Sequence, residues 1–535
     1  MKWLWTLVLI AASGAAAADC GASAQTVRTL RAEPPEEGSK VAVRGVVGAA
    51  FGGDRRLDGF YLQSAEKPPA GVFVYTPDHD PNALPSAGDR VRVQAQVGAY
   101  QGRLQLEWVA GIERCGRARI TATPLQLPAG PARLTALEDT LVRTRGELVV
   151  TDNRDLGRFG VLHLAVGARL YQQGGRGRPA GVLLDDGSHT RQPRPVPFLG
   201  ETGTRRIGDR TAPVTGVLDY AFGAWRIHPV EPPHFTNANP RRRPPGREGA
   251  WRLAGFNVEN YFVTLGSRGA EDAGTLRRQR ERLVAAVRTL DADVLALQEI
   301  ENRSAAVADL IAAVNRDAPP QAHYSAAAAG LARERGVIRT VLLYRPARLT
   351  VRDVWLDSAS VHDRPPVAAH FVDGSGRGAV VAAVHFKSRG GCPSRGERDT
   401  GEGCWNGRRT AQARALARWT RRLQREATAV PVVVLGDLNA YPGEAPLRVL
   451  ADTGGLEDLL AASVSERERY TYVYDGRAGL LDHALGNRRA RTVRQGAAVW
   501  HVNADEPAVI AGEGPWRSAD HDPVIVDLFV PDNGG

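Results

Sequence analysis

The chain has 535 residues, 43% of them hydrophobic and 24% charged, a composition that excludes both a disordered chain and a membrane-embedded bundle. The length exceeds one typical domain and points to roughly two to four. A formal charge of +10 excludes an acidic protein and makes polyanions natural partners. Lysine occurs only at positions 2, 40, 67 and 387, so the basic charge is nearly all arginine. Arginine grips phosphate with a two-pronged fork, although genome composition alone also explains such a bias.

Residues 1–18 read as a signal peptide, with Lys2, an apolar stretch from Trp3 to Ala12, and Ala16-Ala17-Ala18 before Asp19. That stretch is too short to span a bilayer, and no other segment is long and apolar enough. A lipoprotein reading of Cys20 needs a small residue before it, where Asp19 stands. The expectation is an exported, soluble protein, extracellular or periplasmic, with no stable membrane association and no protein partner implied. In an oxidising compartment the four cysteines pair locally, Cys20 with Cys115 and Cys392 with Cys404. A zinc site competes, but no Cys-x-x-Cys spacing supports it.

From about 24 to 235 the pattern is short strands. Val41 to Val47, Gly59 to Gln63, Gly71 to Tyr75, Arg90 to Val97 and Leu104 to Trp108 are separated by Gly, Pro and Asp turns. Five short strands in this span suit a small barrel such as an OB-fold. A diverged repeat follows: Gly88-Asp89-Arg90-Val91 leads into Val93, Val97, Tyr100 and Gly102, and Gly208-Asp209-Arg210-Thr211 leads into Val214, Val217, Tyr220 and Gly223. Two OB-like β modules in tandem are expected, 24–116 and 118–235. Their aromatics Tyr61, Tyr100, Tyr220 and Trp225 suit either stacking on the bases of a single strand or packing inside the barrels.

Residues 236–248, with Pro240-Arg241-Arg242-Arg243-Pro244-Pro245-Gly246, form a linker by composition. From 249 to 535 strands and helices mix. Strands are expected at Trp251 to Asn257, Val294 to Glu299, Thr340 to Tyr344, Val380 to Phe386, Pro431 to Asp437, Leu480 to Leu485 and Pro523 to Val530. Helices are expected at Leu276 to Leu290 and Ala305 to Val314. This makes one layered α/β domain.

Polar residues collect where these strands end. Val432-Val433-Val434-Leu435 is a buried strand whose tip, Gly436-Asp437-Leu438-Asn439, points Asp437 and Asn439 the same way; Asp-x-Asn also fits an ordinary turn. Asn257, Gln298-Glu299, His385-Phe386-Lys387-Ser388, Asp482-His483 and Asp520-His521-Asp522 stand at the other ends. Singly each has a plain structural explanation; together they mark the strand-end position where α/β sheets bind ligands. Oxygen donors from Asn257, Glu299 and Asp520 suit a hard cation such as Mg²⁺. His385 and His521, flanked by carboxylates, suit proton transfer. Walker, Rossmann and His-Glu-x-x-His motifs are absent, as is a serine hydrolase elbow from the C-terminal domain.

These motifs carry a resemblance. Phe256-Asn257-Val258-Glu259-Asn260-Tyr261-Phe262, Arg268-Gly269-Ala270, Leu297-Gln298-Glu299-Ile300-Glu301 and His385-Phe386-Lys387-Ser388 occur in the order seen in the endonuclease/exonuclease/phosphatase superfamily. So do Gly436-Asp437-Leu438-Asn439-Ala440, Leu481-Asp482-His483-Ala484-Leu485 and Ser518-Ala519-Asp520-His521-Asp522-Pro523. The C-terminal domain is similar to pancreatic-type deoxyribonucleases. The mature chain resembles the secreted bacterial extracellular-nuclease branch, also through Val150-Thr151-Asp152-Asn153 and Leu184-Asp185-Asp186-Gly187.

The resemblance implies a four-layer α/β/β/α sandwich with its site at one edge of the paired sheets. It implies Glu299 as principal ligand of Mg²⁺, or of Mn²⁺ in its place, with Asn257 beside it and Asp520 completing or approaching the site. Asp437 would orient or deprotonate water, Asn439 hold the phosphate, Asp482 and His521 act as a pair, and His385 assist the leaving oxygen. Lys387 falls on the substrate side of the same motif. Relatives carry a loop where Gly390 to Gly407 stands, ending in a step like Asn406 to Arg409; Arg408 or Arg409 is expected on substrate phosphate or at a solvated helix start. Gly336-Val337 stands where relatives often carry an acid, which puts a carboxylate partner for His385 from that strand in doubt. The leading expectation is a secreted nuclease acting on DNA, with RNA as a further substrate. The alternatives are another phosphodiester or phosphorylated small molecule as substrate, and a nucleic-acid-binding protein with an inactive nuclease domain.

Overall fold

The computed structural model describes residues 20–21, 23–53, 56–172, 181–327, 336–428, 430–510 and 513–529. The signal peptide expected at 1–18 lies outside the described residues. No helix among the described residues is long and apolar enough to cross a membrane. Both disulfides form, Cys20–Cys115 and Cys392–Cys404, each with Cα atoms 5.4 Å apart.

All five strands expected in the first β segment are present, the first, fourth and fifth running longer than their apolar cores. Lys40–Phe51 pairs with Gly59–Gln63, and that strand with Gly71–Tyr75. Gly71–Tyr75 then runs parallel to Arg103–Arg117, which returns antiparallel to Asp89–Tyr100. Asp89–Tyr100 closes back on Lys40–Phe51, so the sheet is a ring with strand order first, second, third, fifth, fourth. Closure removes the free edges that strands otherwise present.

The second β segment repeats this wiring. Its first strand is split into Thr140–Thr144 and Leu148–Asp152, and its fourth into Arg210–Thr211 and Thr215–Ala221. Leu148–Asp152 pairs with Val161–Val166, which pairs with Gly181–Asp185. Gly181–Asp185 runs parallel to Ala224–Pro229, as the third and fifth strands do in the first ring. Thr215–Ala221 pairs with both Ala224–Pro229 and Thr140–Thr144, and Arg210–Thr211 with Leu148–Asp152. Each ring also carries a short parallel strand followed by a helix, Gln25–Thr26 with Val27–Ala32 and Thr123–Leu125 with Pro131–Thr135.

The rings pack against each other through an apolar cluster, Phe51, Tyr61 and Phe73 against Val217, and through polar contacts. Arg103 pairs with Asp219 across the junction and lies 3.6 Å from buried Asp139. Gln63 Oε1 accepts from the Leu141 N–H at 2.9 Å. Gly71 is required there: a Cβ would sit 2.1 Å from the Asp139 carbonyl oxygen. Tyr61 is buried at this junction, whereas Tyr100 and Tyr220 are exposed and Trp225 packs on Tyr220. Of the four aromatics, Tyr100 and Tyr220 are exposed, Trp225 is half-buried and Tyr61 is buried.

In the second ring Arg226 lies 2.5 Å and His228 3.4 Å from Asp185. Burial opposes ionisation of Asp185, but the His228 and Arg226 charges outweigh it and hold its carboxyl at about 2. A depressed carboxyl contributes stability above its unfolded value, here about 2 kcal/mol, which is lost as pH falls from about 4 through 2. Urea unfolding at a series of pH values is expected to show this acid limb, and Asp185→Asn to flatten it.

The C-terminal domain holds two six-stranded sheets. One runs in the order Ser325–Ala326, Ile338–Tyr344, Val294–Glu301, Trp251–Tyr261, Val524–Leu528, Arg494–Val499. The other runs Leu349–Leu356, Val367–Asp373, Gly378–His385, Val432–Asp437, Asp482–Gly486, Glu457–Asp458. Side-chain alternation builds the layers. Val433 and Leu435 join Leu253, Ala296 and Val526 in a core between the sheets. Val432 and Val434 face outward onto Leu416 and Leu423 of the helix Asn406–Glu426. On the other side Phe256 and Leu295 face Leu283, Val287 and Leu310 of the helices Ala273–Leu290 and Ser304–Asn315. The domain is therefore an α/β/β/α sandwich.

The segment expected as a linker has no regular structure beyond Thr236, which ends the strand Phe235–Thr236, but it is fastened down. Trp500 Nε1 donates to the Arg242 carbonyl at 2.7 Å, and the Arg241 guanidinium lies over the Trp516 ring.

Candidate active site

The site begins with a shared irregularity in two neighbouring parallel strands. Trp251–Tyr261 and Val294–Glu301 keep register through Asn257 and Gln298, then shift before Tyr261 and Ile300. Glu259, Asn260 and Glu299 take left-handed backbone with φ of 52°, 51° and 64°. Such bulges re-aim side chains, and strained backbone of this kind concentrates at functional sites. Here they turn the ends of both strands into one cleft. Asn257 Nδ2 donates to Glu299 Oε1 at 3.4 Å and to Asp437 Oδ2 at 3.2 Å. The Asn260 N–H reaches Glu299 Oε2 at 3.1 Å, so both carboxylate oxygens are oriented.

The second sheet contributes its own parallel pair, which ends with His385 opposite Asp437. Gly436 is required here because a Cβ would stand 1.9 Å from the Val384 carbonyl oxygen. Asp437 Oδ1 accepts from the Asn439 N–H at 2.8 Å, while Oδ2 lies 3.4 Å from His385 Nε2. Burial and the nearby Arg364 guanidinium lower the His385 pKa, so the ring is neutral at pH 7. Asp437 is pulled below the usual carboxylate range: burial opposes this, but the His385 hydrogen bond and the His521 charge outweigh it. Asn439 Nδ2 donates to the Phe386 carbonyl at 3.3 Å.

The third element is a short pair, His521 Nδ1 to Asp482 Oδ2 at 2.6 Å. Burial works against the imidazolium, yet Asp482 and Asp520 raise the His521 pKa well above its ordinary value. The Tyr472 ring stacks on His521 with centroids 4.6 Å apart. Ligating atoms of Asp437, Asp482 and His521 lie within 4.8 Å of one another. Glu259, partly exposed and 3.7 Å from Arg517, is pushed up to about 7 by desolvation and by the neighbouring Asp520 carboxylate.

The structure brings Asn257, Glu299, His385, Asp437, Asn439, Asp482 and His521 together, and Asp520 follows on the Glu259 side. The doubtful carboxylate partner for His385 comes from Asp437, with Glu299 3.9 Å away, rather than from the strand after Gly336. Lys387 lies over the Trp405 ring, and Arg408 Nη2 bonds Asp363 Oδ1 at 2.5 Å. Arg409 does not match its expectation as a phosphate ligand. It is fully buried and donates to the carbonyls of Cys404 at 2.6 Å and Glu402 at 2.9 Å. Its guanidinium braces the disulfide loop from inside and does not face the cleft.

Sequence reasoning missed Glu259, Arg364 and Tyr472. Glu259 stood inside a recognised motif, between Val258 and Asn260, and the bulge gives it its left-handed backbone and sets it near Asp520. Arg364 donates to the carbonyls of His385 and Phe386 from a loop with no periodic signal. Tyr472 belongs to the short hairpin Tyr472–Tyr474 with Arg477–Gly479, which carries no motif.

A model of the Endonuclease/Exonuclease/phosphatase family matches residues 254–521, half of the 535 residues. No curated protein matches the chain. Among solved structures, an endonuclease/exonuclease/phosphatase from Bacteroides vulgatus is 17% identical, covering 52% of this chain and 99% of its own, with a TM-score of 0.38. The catalytic domain of human Nocturnin with bound sulfate is 17% identical, covering 53% and 96%, with a TM-score of 0.36. A mannosyl-6-phosphatase from Bacteroides thetaiotaomicron is 14% identical, covering 52% and 99%, with a TM-score of 0.37.

Proposed function

The chain belongs to the endonuclease/exonuclease/phosphatase family, and on that premise we propose that it is an exported, Mg²⁺-dependent nuclease hydrolysing extracellular DNA, with RNA as a further substrate. The observation that carries this reading is the convergence of two systems in one cleft. One is Glu299, aligned by Asn257 and the Asn260 N–H. The other is the Asp482–His521 pair, with its atoms 2.6 Å apart.

The donor set fits a hard divalent cation. Its groups are carboxylate and amide oxygens, with the Asn257 amide within 3.4 Å of both Glu299 and Asp437, the hard oxygen set such an ion takes. Glu299 would hold Mg²⁺, or Mn²⁺ in its place, with Asn257 beside it and Asp520 at the margin. A bound cation neutralises charge on the non-bridging phosphate oxygens. Asp437, kept ionised, orients the attacking water and accepts its proton. His521, with Nδ1 committed to Asp482, presents Nε2 to the phosphoryl oxygen where charge develops. His385 remains neutral, and its one N–H, which faces Asp437 Oδ2 at 3.4 Å, would turn to the leaving oxygen as the bond breaks. Asn439 fixes the loop that receives the phosphate, and Lys387 and Arg408 supply positive charge at its rim.

Nucleic acid is favoured over other phosphoesters by the +10 charge and by the tandem β segments. Their strand order, with a parallel third and fifth strand in each ring, supports reading residues 24–116 and 118–235 as two OB-like modules joined through 236–248 to the catalytic domain at 249–535. OB-folds characteristically bind oligonucleotides. Purified protein incubated with supercoiled DNA, single-stranded RNA and an aryl phosphodiester, each with and without EDTA, tests the substrate class. Fastest turnover on nucleic acid, abolished by EDTA, is the expected result. A rate on the aryl phosphodiester exceeding that on both polymers would move the assignment to small phosphoesters.

A further inference from the structure

The C-terminal domain contains a loop, residues 503–506, with two buried carboxylates, Asp505 and Glu506. Among the described residues, every ion pair they make is with an arginine outside the family-matched segment. Asp505 pairs with Arg169 and Arg206, and Glu506 with Arg206 and Arg241. Thr204 Oγ1 donates to Glu506 Oε2 and Asn239 Nδ2 to Asp505 Oδ2, both at 2.7 Å. Asn153 Nδ2 reaches the Asp505 carbonyl at 2.8 Å. Buried carboxylates without counter-charges are strongly unfavourable. The loop therefore holds this conformation because the second β ring and the linker supply the positive charge.

The other side of the loop grips the segment around His521. Asn503 Oδ1 accepts from the Ser518 N–H at 2.8 Å, and Asn503 Nδ2 donates to the His521 carbonyl at 2.6 Å. Asp522 Oδ1 accepts from the N–H groups of Asn503 and Ala504, at 2.7 and 3.0 Å. Asp522 Oδ2 lies 2.9 Å from His501 Nδ1. The backbone on both sides of His521 is thus set by this loop.

A second route from the same ring reaches His521. Leu170–Tyr171 pairs in parallel with Arg477–Gly479, and Gln172 Nε2 donates to the Tyr474 carbonyl at 3.3 Å. That hairpin carries Tyr472, the ring stacked on His521. Arg154 of the same ring adds a 3.3 Å contact to Asp475 at the hairpin turn.

We propose that the second β ring and the linker form a clamp that positions His521 through the 503–506 loop and the Tyr472 hairpin, with Arg206 as its central positioning residue. This rests on His521 acting in phosphodiester cleavage as described above. The β segment is then part of the catalytic architecture whether or not it touches substrate.

The test is Arg206→Gln in the full-length protein, read by steady-state kinetics on DNA and by amide hydrogen exchange. Misplacement of a catalytic group by about 1 Å lowers turnover by up to about 100-fold. The expected result is kcat reduced at least about tenfold with KM changed by less than about twofold, the pattern of lost transition-state stabilisation. Amides of residues 518–522 should exchange at least about tenfold faster while those of 380–384 are unchanged. Arg206→Lys, which keeps the charge, should recover part of both effects. A folded Arg206→Gln protein with wild-type kcat and wild-type exchange at 518–522 overturns the clamp. If that variant does not fold, Arg241→Gln, whose side chain is partly exposed, carries the same two readouts, with an expected loss of about threefold. If the wild type cleaves no phosphodiester, the functional reading fails, and exchange at 518–522 still decides the clamp.

Discussion

His521→Ala is expected to lower kcat on DNA by about 10²- to 10³-fold, the loss found when one preorganised transition-state donor is removed. His521 is held at its ring and at its backbone. Asp482 fixes Nδ1 at 2.6 Å, Tyr472 stacks on the ring face, and the Asn503 amide anchors its own carbonyl. A side chain held this way has little freedom to lose when charge develops on the phosphate, so its contribution falls on the transition state and KM changes little. Asp482→Asn keeps the shape but removes the charge that keeps the imidazolium protonated, and is expected to cost a smaller but clear fraction of turnover. Far-UV circular dichroism and steady-state kinetics together check both variants. A folded His521→Ala enzyme within about threefold of wild type would remove His521 from the chemistry.

Glu299→Gln is expected to lower turnover by at least about 10²-fold and to abolish the response of stability to Mg²⁺. Glutamine preserves the volume and can still accept from the Asn260 N–H, so the change isolates the charge. In the wild type, binding of a cation to the folded state alone raises stability by about 2.7 kcal/mol at 100 times Kd, visible as an upward shift of the melting temperature with added Mg²⁺. Glu299→Gln removes one member of the carboxylate group formed with Glu259, Asp437 and Asp520. Without metal the variant should therefore melt at or slightly above the wild-type temperature. A melting shift with Mg²⁺ equal to that of the wild type would take Glu299 out of the metal site.

Much of this architecture was legible in the residues themselves. The run Val432–Leu435 announced a strand covered on both faces, and its alternate side chains do serve two different cores. The five strands of the first ring could be read because Gly, Pro and Asp punctuate them, and the repeat at Gly88 and Gly208 marks the same turn before the fourth strand of each ring. The strands Leu349–Leu356 and Val367–Asp373 escaped notice. One is an edge strand with polar Thr350, Arg352 and Asp353, and the other is broken in pattern by His370.

At the site, motif residues at strand ends were readable because chain direction alone brings them to one edge. What a linear pattern does not carry is the aim of a side chain. The shared bulge after Asn257 and Gln298 decides where Glu259 and Glu299 stand. Arg409 looked like an exposed helix start but is drawn inside, because the disulfide loop offers it carbonyls of Cys404 and Glu402. The charges that hold residues 503–506 come from as far away as Arg169 and Arg206, a pairing that no local pattern encodes.

The most direct measurement is cleavage of supercoiled plasmid by the purified wild type and by His521→Ala, each with Mg²⁺ and with EDTA. Wild-type cleavage that depends on Mg²⁺, disappears in EDTA and falls by about 10²-fold or more in the variant is the predicted result. Cleavage that persists in EDTA, or is equal in the two proteins, would contradict a metal-assisted phosphodiesterase built on this cleft.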